Sequence, residues 1–183
     1  MDNVAGQSIM TTGADRGIGL GLEGEDHMSA KRPSVYNRDQ GVIWGTLAKG
    51  QDLMQGLLEE CEFHGVDTGM VTCIGSLEQA HYVYGIKCPD GQPAYSDPVT
   101  IQGVMEILQG TGFICRNQEG ELDLHFHGLI IDQNGQIQGG HFLKGKNIIL
   151  VTLEYSILVG QEIDAVRAYR PELGFQTIQY RRK

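Results

Sequence analysis

Three histidines, His125, His127 and His141, fall within 17 positions of the stretch ELDLHFHGLIIDQNGQIQGGHFL (121–143). In a strand, residues i and i+2 project from one face, so His125 and His127 point together if 121–131 is extended. The signal Asn134-Gly135 places a turn between them and His141. A three-residue loop, Gln133-Asn134-Gly135, would be a type I turn with Gly135 in the left-handed position. Asp132 then faces Gln136, and counting back sets His127 opposite His141. Cross-strand partners have Cβ atoms about 4.5–5.5 Å apart, so all three imidazoles would be neighbours. A two-residue Asn-Gly loop would set residue 128 opposite 141 and turn His141 away, unless a bulge at Gly139-Gly140 restored the alignment.

Three neutral imidazoles suit Zn²⁺, and also Fe, Ni or Cu, and leave a position open to water or a carboxylate. Gly128, Gly139 and Gly140 would leave space beside the ion. The competing reading is of strand histidines satisfied by hydrogen bonds. The H-x-H pair with a third histidine across a hairpin favours one divalent ion per chain, most simply Zn²⁺, released as the pH falls through the histidine range near ~6.5. Two carboxylates are candidates to support the ligands from behind. Asp123, two residues before His125, shares its face. Glu106 lies among apolar neighbours in VMEIL and would need a partner if buried. No residue is singled out as catalytic. Cys61 and His64 have metal-like spacing but end a helical pattern. His81 is expected to face solvent.

These residues need a scaffold, and the pattern from Gln40 onward supplies one. GVIWGTLAKG (41–50) alternates like a strand. In DLMQGLLEECEFHG (52–65) Leu53, Leu57 and Cys61 recur at helical spacing, with Asp52 suited to the N-cap and Gly65 to the stop. Further strands are expected over 69–77, 80–88, 99–115, 121–131, 136–143, 147–158 and 174–182, with 89–98 as a turn-rich loop. This makes an α/β chain of the α+β type: one main helix and a largely antiparallel sheet of about seven to eight strands.

Residues 1–39 read differently. TTGADRGIGLGL (11–22) resembles the phosphate-binding turn of short-chain dehydrogenases, but no convincing strand precedes it and no βαβ unit follows. With the His27-Met28 junction, a leader or cloning-derived tail is the expectation for 1–39, and the folded domain for 40–183. The formal net charge of -9 argues against non-specific affinity for a phosphate backbone, which rests on Lys and Arg. No run of ~18 apolar residues suggests a membrane span. Four cysteines without a C-x-x-C pair, and no secretory pattern at the start, suggest a cytoplasmic chain with reduced thiols.

GVMEILQGTG (103–112), LHFHGLIIDQNGQIQGGHFLKG (124–145) and VTLEYSIL (151–158), with VTCIGSLEQAHYVYG (71–85) upstream, resemble the "plants and prokaryotes conserved" (PPC) domain over roughly 40–180. The resemblance implies the PPC-like fold, a homotrimer, and metal ligation, usually of zinc, at the positions of His125, His127 and His141. It also brings a label of DNA binding, because plant members join this domain to AT-hooks. No R-G-R-P hook occurs here. The expected function is therefore a trimeric metal-binding protein with a regulatory or assembly role, associated with DNA or a DNA-binding protein. The alternative is a metal-dependent enzyme acting on a small molecule, and whether the chain is an enzyme stays open.

Overall fold

The computed structural model describes residues 33–183. Among them are eleven strands and one helix: β1 (Ser34–Asn37), β2 (Val42–Ala48), α1 (Leu53–His64), β3 (Gly69–Val83), β4 (Gly85–Lys87), β5 (Pro93–Tyr95), β6 (Val99–Arg116), β7 (Leu122–Asp132), β8 (Ile137–Phe142), β9 (Ile148–Val159), β10 (Ile163–Arg170) and β11 (Phe175–Arg182). Nine strands form one sheet in the order β1-β2-β9-β3-β8-β7-β6-β10-β11, and β4 and β5 pair separately as a short hairpin. Pairing is antiparallel except where β10 meets β6 at Val166 and Arg116. The α+β class and the antiparallel character agree with the sequence reading, with more strands than it counts.

The sheet departs from that reading in three places, gaining a strand in two of them. β1 lies ahead of Gln40, where the sequence reading begins the regular domain, and pairs with β2 through Ser34–Asn37. The stretches 69–77 and 80–88 form one long strand up to Val83, interrupted by register shifts between Cys73 and Gly75 and between Leu77 and Gln79. β10 carries no simple apolar alternation and is held by β11 along its whole length. The dehydrogenase-like turn and the His27-Met28 junction lie outside the described residues.

Helix α1 forms where capping and apolar spacing agree. Asp52, extended at φ -76°, ψ 131°, accepts a hydrogen bond from the Gln55 amide at 2.9 Å. Gly65 takes the left-handed φ of 70° that ends the helix. Leu53, Leu57 and Cys61 are fully buried and pack with Ile43, Val71, Phe126, Leu153 and Ile157 in one apolar cluster. The helix therefore covers one face of the sheet.

β3 and β6 are the longest strands and the frame for everything else. β3 pairs with β6 on one edge and with β9, then β8, on the other. Because β8 also pairs with β7, and β7 with β6, the strands β3, β6, β7 and β8 close on themselves. No helix of the described residues is long and apolar enough to cross a membrane.

Candidate metal centre

The β7–β8 hairpin decides whether three histidines can meet. Asp132 is the hinge of that turn: its amide donates to the Gln136 carbonyl at 3.0 Å, its carbonyl accepts from Gly135 at 2.9 Å, and its Oδ1 accepts from the amides of Asn134 and Gln136. Gly135 has φ +77°, a conformation that costs any residue with a Cβ. The loop is thus the three-residue form, Ile131 pairs with Ile137, and His127 pairs with His141. Strand β8 is also pinned from the other side, where His141 pairs with Val83. A Cβ on Gly140 would lie 2.2 Å from the Val83 carbonyl oxygen, so glycine is required for β8 to sit this close to β3.

The three imidazoles converge. His125 Nε2 lies 3.0 Å from His127 Nε2, which lies 3.3 Å from His141 Nδ1. One nitrogen from each residue falls within 4.8 Å of the others, an arrangement that could hold a metal ion. Two nitrogens bound tetrahedrally at ~2.0–2.1 Å stand about 3.3 Å apart, so both measured separations are close to what a shared ion needs. The donor set fits a divalent ion with three nitrogen ligands.

The register continues across the sheet. His127 pairs with Thr111, Thr111 with Thr72, Thr72 with Ser156, and Ser156 with Trp44. Directly paired residues share a face, so the histidines project from the same face as Trp44, the face opposite α1. That face carries Trp44 and Ile74, 64% and 59% exposed, with Leu129 and Leu158 also exposed.

Electrostatics keep the three imidazoles neutral. Burial, then the charge of Arg167 and the neighbouring His127, push the His125 pKa down to about 4. Burial, His125 and Arg167 do the same to His141, also to about 4. His127 is lowered in the same direction by burial and Arg167. Neutral imidazole therefore persists well below the value near ~6.5 expected from sequence.

Asp123 and Glu106 fare differently. Asp123 is buried and accepts from Lys144 Nζ at 2.7 Å and from Arg167 Nη1 at 3.2 Å. Burial alone would raise its pKa, but the two cations outweigh it and hold the carboxyl below its ordinary range. Its contacts are thus with cations beside the centre. Glu106 is exposed and pairs with Ile131, four residues along β7 from His127, or roughly 13 Å at ~3.3 Å per residue. It lines a separate cavity with Ile74, Ser76 and Thr152, and the structure does not bring it to the histidines. His81 is half-buried rather than in open solvent: its Nδ1 lies 2.8 Å from Thr100 Oγ1.

Three neighbours were not anticipated. Arg167 comes from β10, the strand the sequence reading lacks. Tyr95 of β5 stacks on His141, with centroids 5.4 Å apart and planes at 28°. Phe175 of β11 meets the edge of Tyr95 at 5.2 Å. Gly128, Gly139 and Gly140 do border open space, a cavity of about 320 Å³ shared with Gln109, Thr111 and His127. All four cysteines are free thiols, and Cys61, Cys73 and Cys115 are buried. Burial raises Cys61 and Cys73 to about 12, which makes them poor nucleophiles and poor ligands.

Residues 35–160 match the model of the Plants and Prokaryotes Conserved (PCC) domain. No curated protein matches the chain in sequence. Among solved structures, a "putative DNA-binding protein" from Bacteroides thetaiotaomicron is similar with a TM-score of 0.66 and 22% identity, over 81% of this chain and 98% of its own. A metal-containing protein from Archaeoglobus fulgidus follows at 0.64 and 20%, over 75% and 92%. A plant- and prokaryote-conserved protein from Pyrococcus horikoshii gives 0.63 and 16%, over 84% and 97%. At these identities the likeness is one of fold.

Proposed function

The chain belongs to the Plants and Prokaryotes Conserved domain family, and from that premise we propose that it is a cytoplasmic, trimeric zinc-binding protein with a regulatory or assembly role. The observation that carries the reading is the convergence of His125, His127 and His141 on the sheet face that α1 leaves open. One ion per chain is expected, held by three imidazole nitrogens with a position to spare. The ion would supply Lewis acidity or simply a fixed charge. Elemental analysis of the purified chain tests this directly, and less than a tenth of an equivalent of any divalent metal after zinc loading would sink it.

Self-association rests on the same face. Exposed Trp44, Ile74, Leu129 and Leu158 make an apolar surface of the kind that marks an interface. Light scattering should return about three chain masses, and Ile74→Asp should return one. Association with DNA belongs to this reading through a partner that supplies the cationic contacts, since the chain carries a net charge of -9. Strong, steeply salt-dependent binding of bare duplex by the chain alone would contradict it. We also take residues 1–28 as a leader that folding does not need, so a chain starting at Met28 should melt at the same temperature.

A second reading, a metal-dependent enzyme acting on a small molecule, is favoured by one observation. The cavity beside His127 gives a ligand about 320 Å³ next to the spare coordination position. Turnover of a small molecule that disappears on chelation would select it over the assembly role.

A further inference from the structure

Arg167 stands at the metal centre without serving as a ligand. Its Nη1 bonds to Asp123 at 3.2 Å, and that is the side chain's one hydrogen bond among the described residues. Its Nε is buried with no partner among them. A guanidinium carries five N–H donors in a planar fork suited to oxyanions, so Asp123 leaves most of that capacity unspent. Unsatisfied donors on a charged group are costly to keep buried. The retention of that one buried, unpartnered donor, Nε, beside a candidate metal site points to an acceptor that arrives with a ligand.

Charge counting gives the ligand's sign. Three neutral imidazoles leave both positive charges of a divalent ion uncompensated. Arg167 and Lys144 contribute one positive charge each, and Asp123 one negative, so the loaded site carries an excess of three. Neutral water leaves that excess untouched, whereas an anion at the spare position reduces it.

The surroundings give the ligand's shape. Arg167 also lines a cleft of about 400 Å³ with Pro93, Tyr95, Tyr169, Phe175 and Gln176. The cleft abuts the metal centre through Tyr95, which stacks on His141, and through Arg167 itself. Three of its eight lining residues, Tyr95, Tyr169 and Phe175, are aromatic. An apolar, flat body would fit between them better than a hydrated one, since aromatic surfaces favour stacked or edge-on partners.

We propose that Arg167 recognises an anion bound at the metal, and that the natural occupant is a small carboxylate with a flat apolar body lodged against Tyr95, Tyr169 and Phe175. The inference rests on the metal reading above and adds the ligand class to it. Co²⁺ serves as the probe ion because its visible absorption reports its coordination. The full-length chain is first loaded with Co²⁺ alone, then titrated with acetate, benzoate, benzamide and inorganic phosphate. Benzoate should shift the spectrum at about a tenth of the acetate concentration or less, a factor that corresponds to ~1.4 kcal/mol. Neutral benzamide should leave it unchanged.

Arg167→Gln should bind Co²⁺ as well as the parent or better, having lost a repelling cation, while its benzoate affinity drops at least tenfold. Phe175→Ala should bring benzoate down to the level of acetate. If Arg167→Gln fails to fold, Arg167→Lys keeps the charge but loses the fork and should show an intermediate benzoate affinity. If Co²⁺ binds but no anion perturbs it, or benzamide acts like benzoate, the ligand assignment is wrong and the metal site stands. Tighter binding of phosphate than of benzoate also overturns it. If Co²⁺ does not bind, the metal reading fails and the proposal goes with it.

Discussion

The two faces of the sheet are built from the same kinds of residue and end in opposite states. On one, Ile43, Val71, Phe126 and Leu153 are sealed beneath α1. On the other, Trp44, Ile74 and Leu129 stay exposed and the histidines sit among them. The difference is one helix. Twelve residues, Leu53–His64, suffice to turn one apolar face into a core, and no second helix is described to cover the other. Stability and chemistry are thereby separated: the covered face makes the fold, and the open face is free to hold an ion and a partner.

That separation can be broken deliberately. The largest effect is expected on the covered side. Leu57 is fully buried between helix and sheet, and Leu57→Ala should cost about 2–5 kcal/mol in a urea titration, with metal stoichiometry unchanged in whatever fraction stays folded. A matched loss of metal in that folded fraction would mean the faces are coupled.

On the open side, His127→Ala removes the central member of the triad, the nitrogen that approaches both others. Metal affinity should fall by more than the roughly 10–100-fold that changes behind a ligand cause. The metal-free chain should melt within about 1 kcal/mol of the parent, because this exposed side chain packs little. Full occupancy in this variant would rule out the site as drawn.

A smaller effect is expected from pH. In the folded, metal-free chain His125 and His141 protonate only near pH 4, whereas in the unfolded chain they do so near ~6.5. Between those values the unfolded state binds more protons, so stability declines as the pH falls from about 6.5 to about 4 and levels off below. Metal occupancy should likewise survive past pH 6 and fail closer to 4. Urea midpoints and metal content measured across this range would reveal the reverse trend if the triad were held protonated. The smallest effect belongs to His81→Ala. This ring is held by Thr100, so metal content should not change at all.

How much of this was readable in the chain depended on distance in sequence. The hairpin was, because Asp132 and Gly135 carry its geometry within a few residues of the histidines. Helix α1 was, because Asp52 and Gly65 mark its ends. What escaped depends on remote pairing. Arg167 reaches the centre because β10 joins β6 at Arg116, 50 residues earlier, and nothing local to IDAVRAYR signals that. Tyr95 sits in a turn-rich stretch whose pairing with Gly85 gives it a strand's direction. Glu106 was drawn toward the histidines by its apolar neighbours, but a register shift between Ile107 and Gln109 lies between its position and theirs.

The pairing of β3 with β9 has a consequence for how the chain is made. Gln79 must wait for Ile148, about 70 residues later, or roughly 4–14 s of synthesis at ~5–20 residues per second. During that interval one edge of the longest apolar-rich strand pair has no partner, which is the condition under which nascent sheets find the wrong neighbour. The hairpin that carries all three histidines is local and leaves the ribosome inside the same interval. All three histidines are therefore synthesised before the strand that completes the central sheet.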